Sequence, residues 1–215
     1  MMLTCVIFDM DGTLIDSEKF YLEGFKHAFA EYGFLLSADE IKVFVGMSGE
    51  SEMLEIDKIT HNRDITNQIF NDMLTFAKKE LTNQMVPLKP YARELLTHCQ
   101  NLGLKIGLAT STYEASGLKT LKETDLLHFF DFLVFGNEVT VPKPNKMIYE
   151  LALKKANAST GECLVVEDSH SGVVAATSGN LAVAQLIDDI PAHNMSTYTV
   201  NSLKELMPLI NTLLL

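Results

Sequence analysis

Three short apolar runs in this 215-residue chain stop at side chains that can do chemistry. Val6-Ile7-Phe8 stops at Asp9, with Asp11 two places on; Ile106-Gly107-Leu108-Ala109 stops at Thr110-Ser111-Thr112; Leu164-Val165-Val166 stops at Glu167-Asp168. Four carboxylates brought together without compensation repel, and some would take up protons. A hard divalent cation removes that conflict, and a set of oxygen donors alone selects Mg²⁺ over Zn²⁺. Mg²⁺ in turn suits a phosphate ester, whose oxygens complete its octahedron. The Thr110 hydroxyl, the neighbouring backbone N–H groups and the ammonium of Lys143 can hold the remaining phosphate oxygens. A carboxylate such as Asp9 can attack phosphorus and form an aspartyl-phosphate, which splits one hard displacement into two. Asp11 would protonate the leaving alkoxide and then activate water for the second step.

These groups meet only if the elements that carry them end on one edge. Cys5 to Phe8, Leu104 to Ala109, Phe132 to Phe135, Cys163 to Val166 and Leu181 to Leu186 are short and evenly apolar, as strands buried on both faces of a parallel sheet are. Amphipathic stretches separate them: Tyr91 to Leu102, Asn145 to Ala156 and, at the carboxy end, Ser202 to Leu214. Strand alternating with helix predicts an α/β fold, a doubly wound parallel Rossmann-like sheet. In such a sheet, ligands bind where the carboxyl ends of the strands converge.

One region breaks the alternation. Between Ser17 and Asn83 only helical periodicity is visible: Tyr21, Phe25, Ala28, Phe29 and Tyr32 share a face, Ser37-Ala38-Asp39-Glu40 reads as a capping box, and Ile69, Met73, Phe76, Ala77 and Leu81 mark a longer helix. Residues 17–83 are therefore expected to form an inserted all-helical cap, and residues 1–16 with 84–215 the α/β catalytic core.

Composition sets the outer limits. The net charge is −11, from 17 basic and 28 acidic side chains, and no basic run occurs, so neither a nucleic acid nor an anionic membrane is an expected partner. No apolar stretch approaches the roughly 20 residues that span a bilayer. The amino terminus lacks a basic region and meets Asp9 at once, unlike a signal peptide. Three cysteines, Cys5, Cys99 and Cys163, form no C-x-x-C pair and read as reduced, buried thiols of a cytoplasmic protein.

The segment Phe8-Asp9-Met10-Asp11-Gly12-Thr13-Leu14-Ile15-Asp16-Ser17-Glu18 resembles the first signature of the haloacid dehalogenase (HAD)-like superfamily, and more narrowly its β-phosphoglucomutase-like phosphatase branch with a helical cap. Thr110 matches the second signature, Lys143-Pro144 the third, and Glu167-Asp168-Ser169-His170-Ser171-Gly172-Val173 the fourth. They stand in the family's order from residue 9 to residue 179. The resemblance implies Asp9 as nucleophile and magnesium ligand, and Asp11 as acid/base that also gives its backbone carbonyl to the metal. It implies Thr110 on the phosphoryl group, Lys143 neutralising that group and orienting Asp9, and Asp168 and Glu167 toward the metal. Gly46-Met47-Ser48-Gly49 resembles the family's specificity loop, which makes Gly46 and Ser48 candidate substrate contacts alongside Ser111.

Two departures are visible. Lys146 and Met147 replace the proline and aspartate usual after the Lys-Pro pair, and Pro142 stands where a glycine is common, so the loop around Lys143 can take its own course. Gly49 stands where β-phosphoglucomutases carry an arginine for a second phosphate, which counts against a phosphomutase.

Each residue also has a plainer use. Asp9 and Thr13 can stabilise a turn, Thr110 or Glu167-Asp168 can cap a helix, Lys143 can be solvated, and Asp16 can fix the hinge into the insert. His170 has no second histidine at ligand spacing and reads as a first-turn helix residue. Joint occurrence carries the stronger reading: a Mg²⁺-dependent phosphatase of a small phosphorylated metabolite, a sugar or polyol phosphate, as a monomer or weak homodimer. A phosphomutase is the enzymatic rival. A receiver-like phosphoaspartate module, which also gathers acids, a Thr or Ser and a Lys-Pro around magnesium, is the non-enzymatic one.

Overall fold

The structure, a computed structural model, describes residues 3–45, 47, 49–84, 86–187 and 191–214. It divides into two compact units, one of Met1–Asp16 with Pro87–Leu215 and one of Ser17–Val86. The expected helical insert, residues 17–83, falls inside the second.

The first unit is built on six strands: β1 (Cys5–Phe8), β2 (Lys105–Ala109), β3 (Phe132–Val134), β4 (Cys163–Glu167), β5 (Ala182–Leu186) and β6 (Tyr198–Val200). They form one sheet in the order β3-β2-β1-β4-β5-β6, and every neighbouring pair is parallel. This is a doubly wound, Rossmann-like α/β sheet. The inner strands β1 and β4 are buried along their whole length, which is why their sequences are unbroken apolar runs rather than alternating ones. Strand β6 carries no such run; it is an edge strand of three residues, too short and mixed to show in the sequence.

In the second unit, α1 (Glu18–Glu31), α2 (Ala38–Lys42), α3 (Glu50–Thr60) and α4 (Arg63–Asn83) enclose their own apolar core of Phe25, Ala28, Phe29, Ile41, Phe44, Ile56, Ile69 and Met73. Phe25 stacks on Phe44 with ring centroids 4.1 Å apart. The capping box at α2 forms: the Glu40 N–H donates to Ser37 Oγ, and the Ser37 N–H donates to Glu40 Oε2 at 2.8 Å.

Back in the sheet unit, α5 (Ala92–Asn101), α6 (Glu114–Glu123), α7 (Met147–Ala156), α8 (His170–Ser178) and α9 (Leu203–Leu213) surround the strands. Ile148, Tyr149 and Ala152 of α7 and Val173 and Ala176 of α8 pack on Ile7, Ala109, Val134 and Val165 of the sheet. Pro208 lies inside α9. All three cysteines are free and buried, and Cys5 and Cys163 are register partners on β1 and β4. Among the described residues, no helix is long and apolar enough to cross a membrane.

Candidate active site

Register decides what meets at the sheet's carboxyl edge. Phe8 pairs with Leu108 on one side and with Val166 on the other, so the residues that follow, Asp9, Ala109 and Glu167, emerge level. The Asp9 N–H donates to the Val166 carbonyl at 3.0 Å, which continues the ladder by one residue and fixes the Asp9 backbone. Strand order reverses between β1 and β4, since β1 is followed in sequence by its neighbour β2 and in space by β4 on its other side. That reversal opens a crevice at the strand ends. Asp9, Glu167 and Asp168 sit there, and one carboxylate oxygen of each lies within 4.8 Å of the other two.

Lys143 reaches this edge from the loop before α7. Its Nζ donates to Asp9 Oδ1 at 2.6 Å, to Glu167 Oε1 at 2.6 Å and to the Ala109 carbonyl at 3.1 Å. The altered loop sequence, with Pro142, Lys146 and Met147, therefore still delivers the ammonium to the strand ends; the Lys143–Pro144 peptide is cis. Burial alone would lower the Lys143 pKa, but the facing Asp9 and Glu167 carboxylates outweigh it and hold the amine well above its ordinary value.

Glu167 is fully buried and takes five donors. Oε1 accepts from Lys143 and from the Tyr149 hydroxyl at 2.8 Å; Oε2 accepts from the N–H groups of Asp168 and Ser169, both at 3.2 Å, and from Ser169 Oγ at 3.0 Å. A carboxylate offers about four lone-pair sites, so this one is full. The Ser169 hydroxyl also caps α8 by accepting the Gly172 N–H at 3.0 Å, so Ser169, and not either acid, caps this helix. Gly172 is obligatory: a Cβ there would run into the Glu167 carboxyl group.

Asp168 is held from the other direction. The Thr13 hydroxyl donates to its Oδ1 at 3.0 Å, across 155 residues of sequence, so Thr13 does more than shape the turn. Gly12, at φ 75°, lets that turn pass beside Asp168, whose Oδ2 a Cβ would strike. Burial first, then the Glu167 charge, raise the Asp168 pKa to about 7. Asp9 is pushed well above the ordinary carboxylate range, by burial most of all and by its three acidic neighbours, against the pull of Lys143.

The donor set fits a divalent cation. At the spacing of these oxygens, each like-charge pair costs at least about 3.5 kcal/mol for an effective dielectric near 20. Three carboxylates and one ammonium leave two negative charges, which one divalent ion balances, and all the donors are hard oxygens.

Asp11 stands apart from that cluster. Its Oδ2 accepts from the Thr112 hydroxyl at 2.7 Å and, at 3.5 Å, from Thr110. Thr110 is buried at the end of β2, its N–H bonded to the Val134 carbonyl at 3.0 Å. Ser111 is exposed and lines a cavity of about 150 Å³ with Tyr113, Gly136, Thr140 and Lys143. Gly46 and Ser48, the candidate substrate contacts of the insert, lie outside the described residues. Asp16 is 4.0 Å from Lys89, and its N–H donates to the Pro87 carbonyl at 2.8 Å, tying the chain's exit from the sheet unit to its return. His170 opens α8 as expected; its Nε2 meets the Pro191 carbonyl, and the His193 ring lies 5.1 Å away.

The sequence reading missed Tyr149 as a site residue and left the third hydroxyl of the Thr-Ser-Thr run, Thr112, without a role. Tyr149 counts as one more apolar position of an amphipathic helix until the fold aims its hydroxyl at Glu167. Thr112 was in plain view, but spacing alone does not tell which hydroxyl of three faces an acid on another strand.

A doubly wound sheet with acids at two adjacent central strand ends, gathered on one lysine, defines an α/β enzyme with an acidic, cation-ready centre. The chain belongs to the haloacid dehalogenase-like hydrolase family, whose model matches residues 6–186. It is 33% identical over 185 residues to the phosphorylated carbohydrates phosphatase of Thermotoga maritima, covering 83% of this chain and 82% of that one. It is 27% identical over 186 residues to the pyrophosphatase PpaX of Oceanobacillus iheyensis, covering 86% and 83%. The fold matches the crystal structure of β-phosphoglucomutase from Clostridium difficile with a TM-score of 0.73 at 18% identity, over 99% of this chain and 97% of that one.

Proposed function

We propose that the protein is a Mg²⁺-dependent phosphatase. It hydrolyses a small phosphorylated metabolite, a sugar or polyol phosphate, through a phosphoaspartate on Asp9. It works in the cytoplasm as a monomer or weak homodimer, with the helical unit as the cap that selects the ester. The observation that carries this reading is the Asp9 carboxylate. It is fixed by the β1–β4 ladder, clamped at Oδ1 by Lys143, and set against Glu167 and Asp168.

Asp9, Asp168 and the Asp11 backbone carbonyl would hold the cation, with Glu167 contributing charge, since its oxygens are already taken. When bound, the ion supplies positive charge for the phosphate oxygens and for the Asp9 carboxylate. The remaining work falls to the chain. Lys143 favours the ionised, nucleophilic form of Asp9 against the desolvation that raises its pKa. An Asp9 oxygen bonds to phosphorus as the ester P–O bond breaks, and the departing alkoxide takes the Asp11 proton. Water then attacks phosphorus, gives a proton to Asp11, and releases phosphate as the bond to Asp9 breaks. The Thr110 hydroxyl and the Ser111 N–H hold the transferring group in place.

The printed names of the Thermotoga and Oceanobacillus relatives support phosphorylated carbohydrates as first candidates and add pyrophosphate. Gly49 supports hydrolysis over mutase chemistry, because it offers no cationic side chain for a second phosphate. The test is phosphate release from a panel of sugar phosphates, polyol phosphates and pyrophosphate, with and without Mg²⁺. Asp9→Asn is expected to lose on the order of 10⁴-fold or more in kcat while keeping its circular dichroism spectrum. Retained turnover in that variant overturns the nucleophile assignment.

A further inference from the structure

We propose that Thr112 is the positioning residue for Asp11, holding one carboxylate oxygen so that the other is presented for proton transfer to the leaving group. The inference rests on the acid/base reading of Asp11 and deepens it. Three contacts carry it. The Thr112 hydroxyl donates to Asp11 Oδ2 at 2.7 Å, a short bond. The Thr112 N–H donates to Thr110 Oγ1 at 3.0 Å, so the residue that grips Asp11 is itself pinned to the buried end of β2. Thr110 approaches the same Asp11 oxygen only at 3.5 Å, the edge of hydrogen bonding, which leaves Thr112 as the principal hold.

Among the described residues, no donor is directed at Asp11 Oδ1. The carboxylate thus has one anchored oxygen and one available oxygen, and the anchor comes from a strand-end segment rather than from the loop that bears Asp11. In the proposed first step the proton leaves Asp11 Oδ1 for the alkoxide as the P–O bond breaks. In the second step a water proton returns to Oδ1 as hydroxide bonds to phosphorus. The Thr112 proton stays on Thr112 throughout; its part is orientation. The position is partly exposed, so substitution there does not reach the core.

The test compares kcat/KM, which covers only the steps through departure of the first leaving group, for the best alkyl phosphate of the panel and for p-nitrophenyl phosphate. An alkoxide needs the proton from Asp11; nitrophenolate leaves without one. Thr112→Val is expected to lower the alkyl-to-nitrophenyl ratio by about 10- to 100-fold, within the range general acid catalysis supplies. Thr112→Ser, which keeps the hydroxyl, is expected to stay within about 3-fold of the wild-type ratio, as a retained donor should. Both rates come from one preparation, so the ratio does not depend on how much of a variant folds. An equal loss on both substrates, or none, in Thr112→Val overturns the inference. Asp11→Asn separates the two levels. If it lowers the ratio while Thr112→Val does not, the inference alone fails. If it leaves the ratio unchanged, the acid role of Asp11 fails and the inference falls with it.

Discussion

In the sheet unit, the buried acids Asp9 and Glu167 share the ammonium of Lys143, which lies 134 and 24 residues away from them in sequence. In the helical unit, Glu52 is buried about as deeply as Asp9, at 8% against 6% exposure, yet its one described donor is the N–H of Gly49, three residues earlier, at 2.8 Å. The first arrangement is assembled by topology from three strand ends and a loop, and it keeps charge in the interior by pairing it. The second is made within one helix start and reduces charge instead: burial raises the Glu52 pKa to about 7, against the pull of that single N–H. One unit therefore concentrates charge where a cation and an anion can use it. The other keeps a carboxyl group that is about half protonated near pH 7.

The sharpest way to break this comparison is to remove the shared cation. Lys143→Met keeps most of the side chain's volume but leaves Asp9 and Glu167 facing each other unpaired. Removing one partner of a buried ion pair typically costs about 3–5 kcal/mol, and urea denaturation of the metal-free protein should show it. Activity should fall as well, because Asp9 loses the charge that favours its ionised form. A loss of stability below about 1 kcal/mol would mean that the pair is solvated and worth no more than a surface one.

A finer cut is Tyr149→Phe, which removes one hydroxyl and keeps the ring. Glu167 Oε1 would retain only Lys143, and a hydrogen bond to a charged group lost in the interior costs about 2 kcal/mol. If Glu167 contributes to cation binding through the network that holds it, the Mg²⁺ concentration giving half-maximal thermal stabilisation should rise roughly 10-fold, as it does when a ligand's outer partner is lost. An unchanged Mg²⁺ midpoint would confine Tyr149 to packing.

How far the sequence showed all this differs between the same two units. Asp9, Thr110 and Glu167 were legible because an apolar run that stops abruptly at a polar residue marks a strand end, and parallel strand ends face one crevice. Pairing across long stretches of chain was not legible: nothing near Thr13 says that its hydroxyl will meet Asp168, and nothing near Tyr149 points to Glu167. Gly172 looked like part of a signature, and only the nearness of the Glu167 carboxyl group gives it a steric reason. In the helical unit the reverse holds. Local signals such as the Ser37–Glu40 box were readable to the residue, while Glu52 sits in a pattern that any exposed helix start would share.

The smallest effect separates the two kinds of buried acid by pH. The carboxyl pKa rises on folding from 4.5 to about 7 in Glu52 and from 3.8 to about 7 in Asp168. A raised folded-state pKa means that the folded form binds the proton more tightly than the unfolded form does. Each group's contribution is then complete below its unfolded value and is lost as pH climbs through about 7. Metal-free protein should therefore be more stable near pH 5.5 than near pH 8, by no more than about 2 kcal/mol for each group. Saturating Mg²⁺ should remove the Asp168 share, because a bound cation keeps that carboxylate ionised in the fold, and should leave the Glu52 share intact. Glu52→Gln, whose side-chain carbonyl can still accept the Gly49 N–H, should flatten what remains. Urea midpoints at the two pH values, with and without Mg²⁺, give the four comparisons needed. A slope that Mg²⁺ abolishes entirely would mean that Glu52 is ionised in the fold, and the contrast between a unit that pairs its buried charge and one that neutralises it would fail.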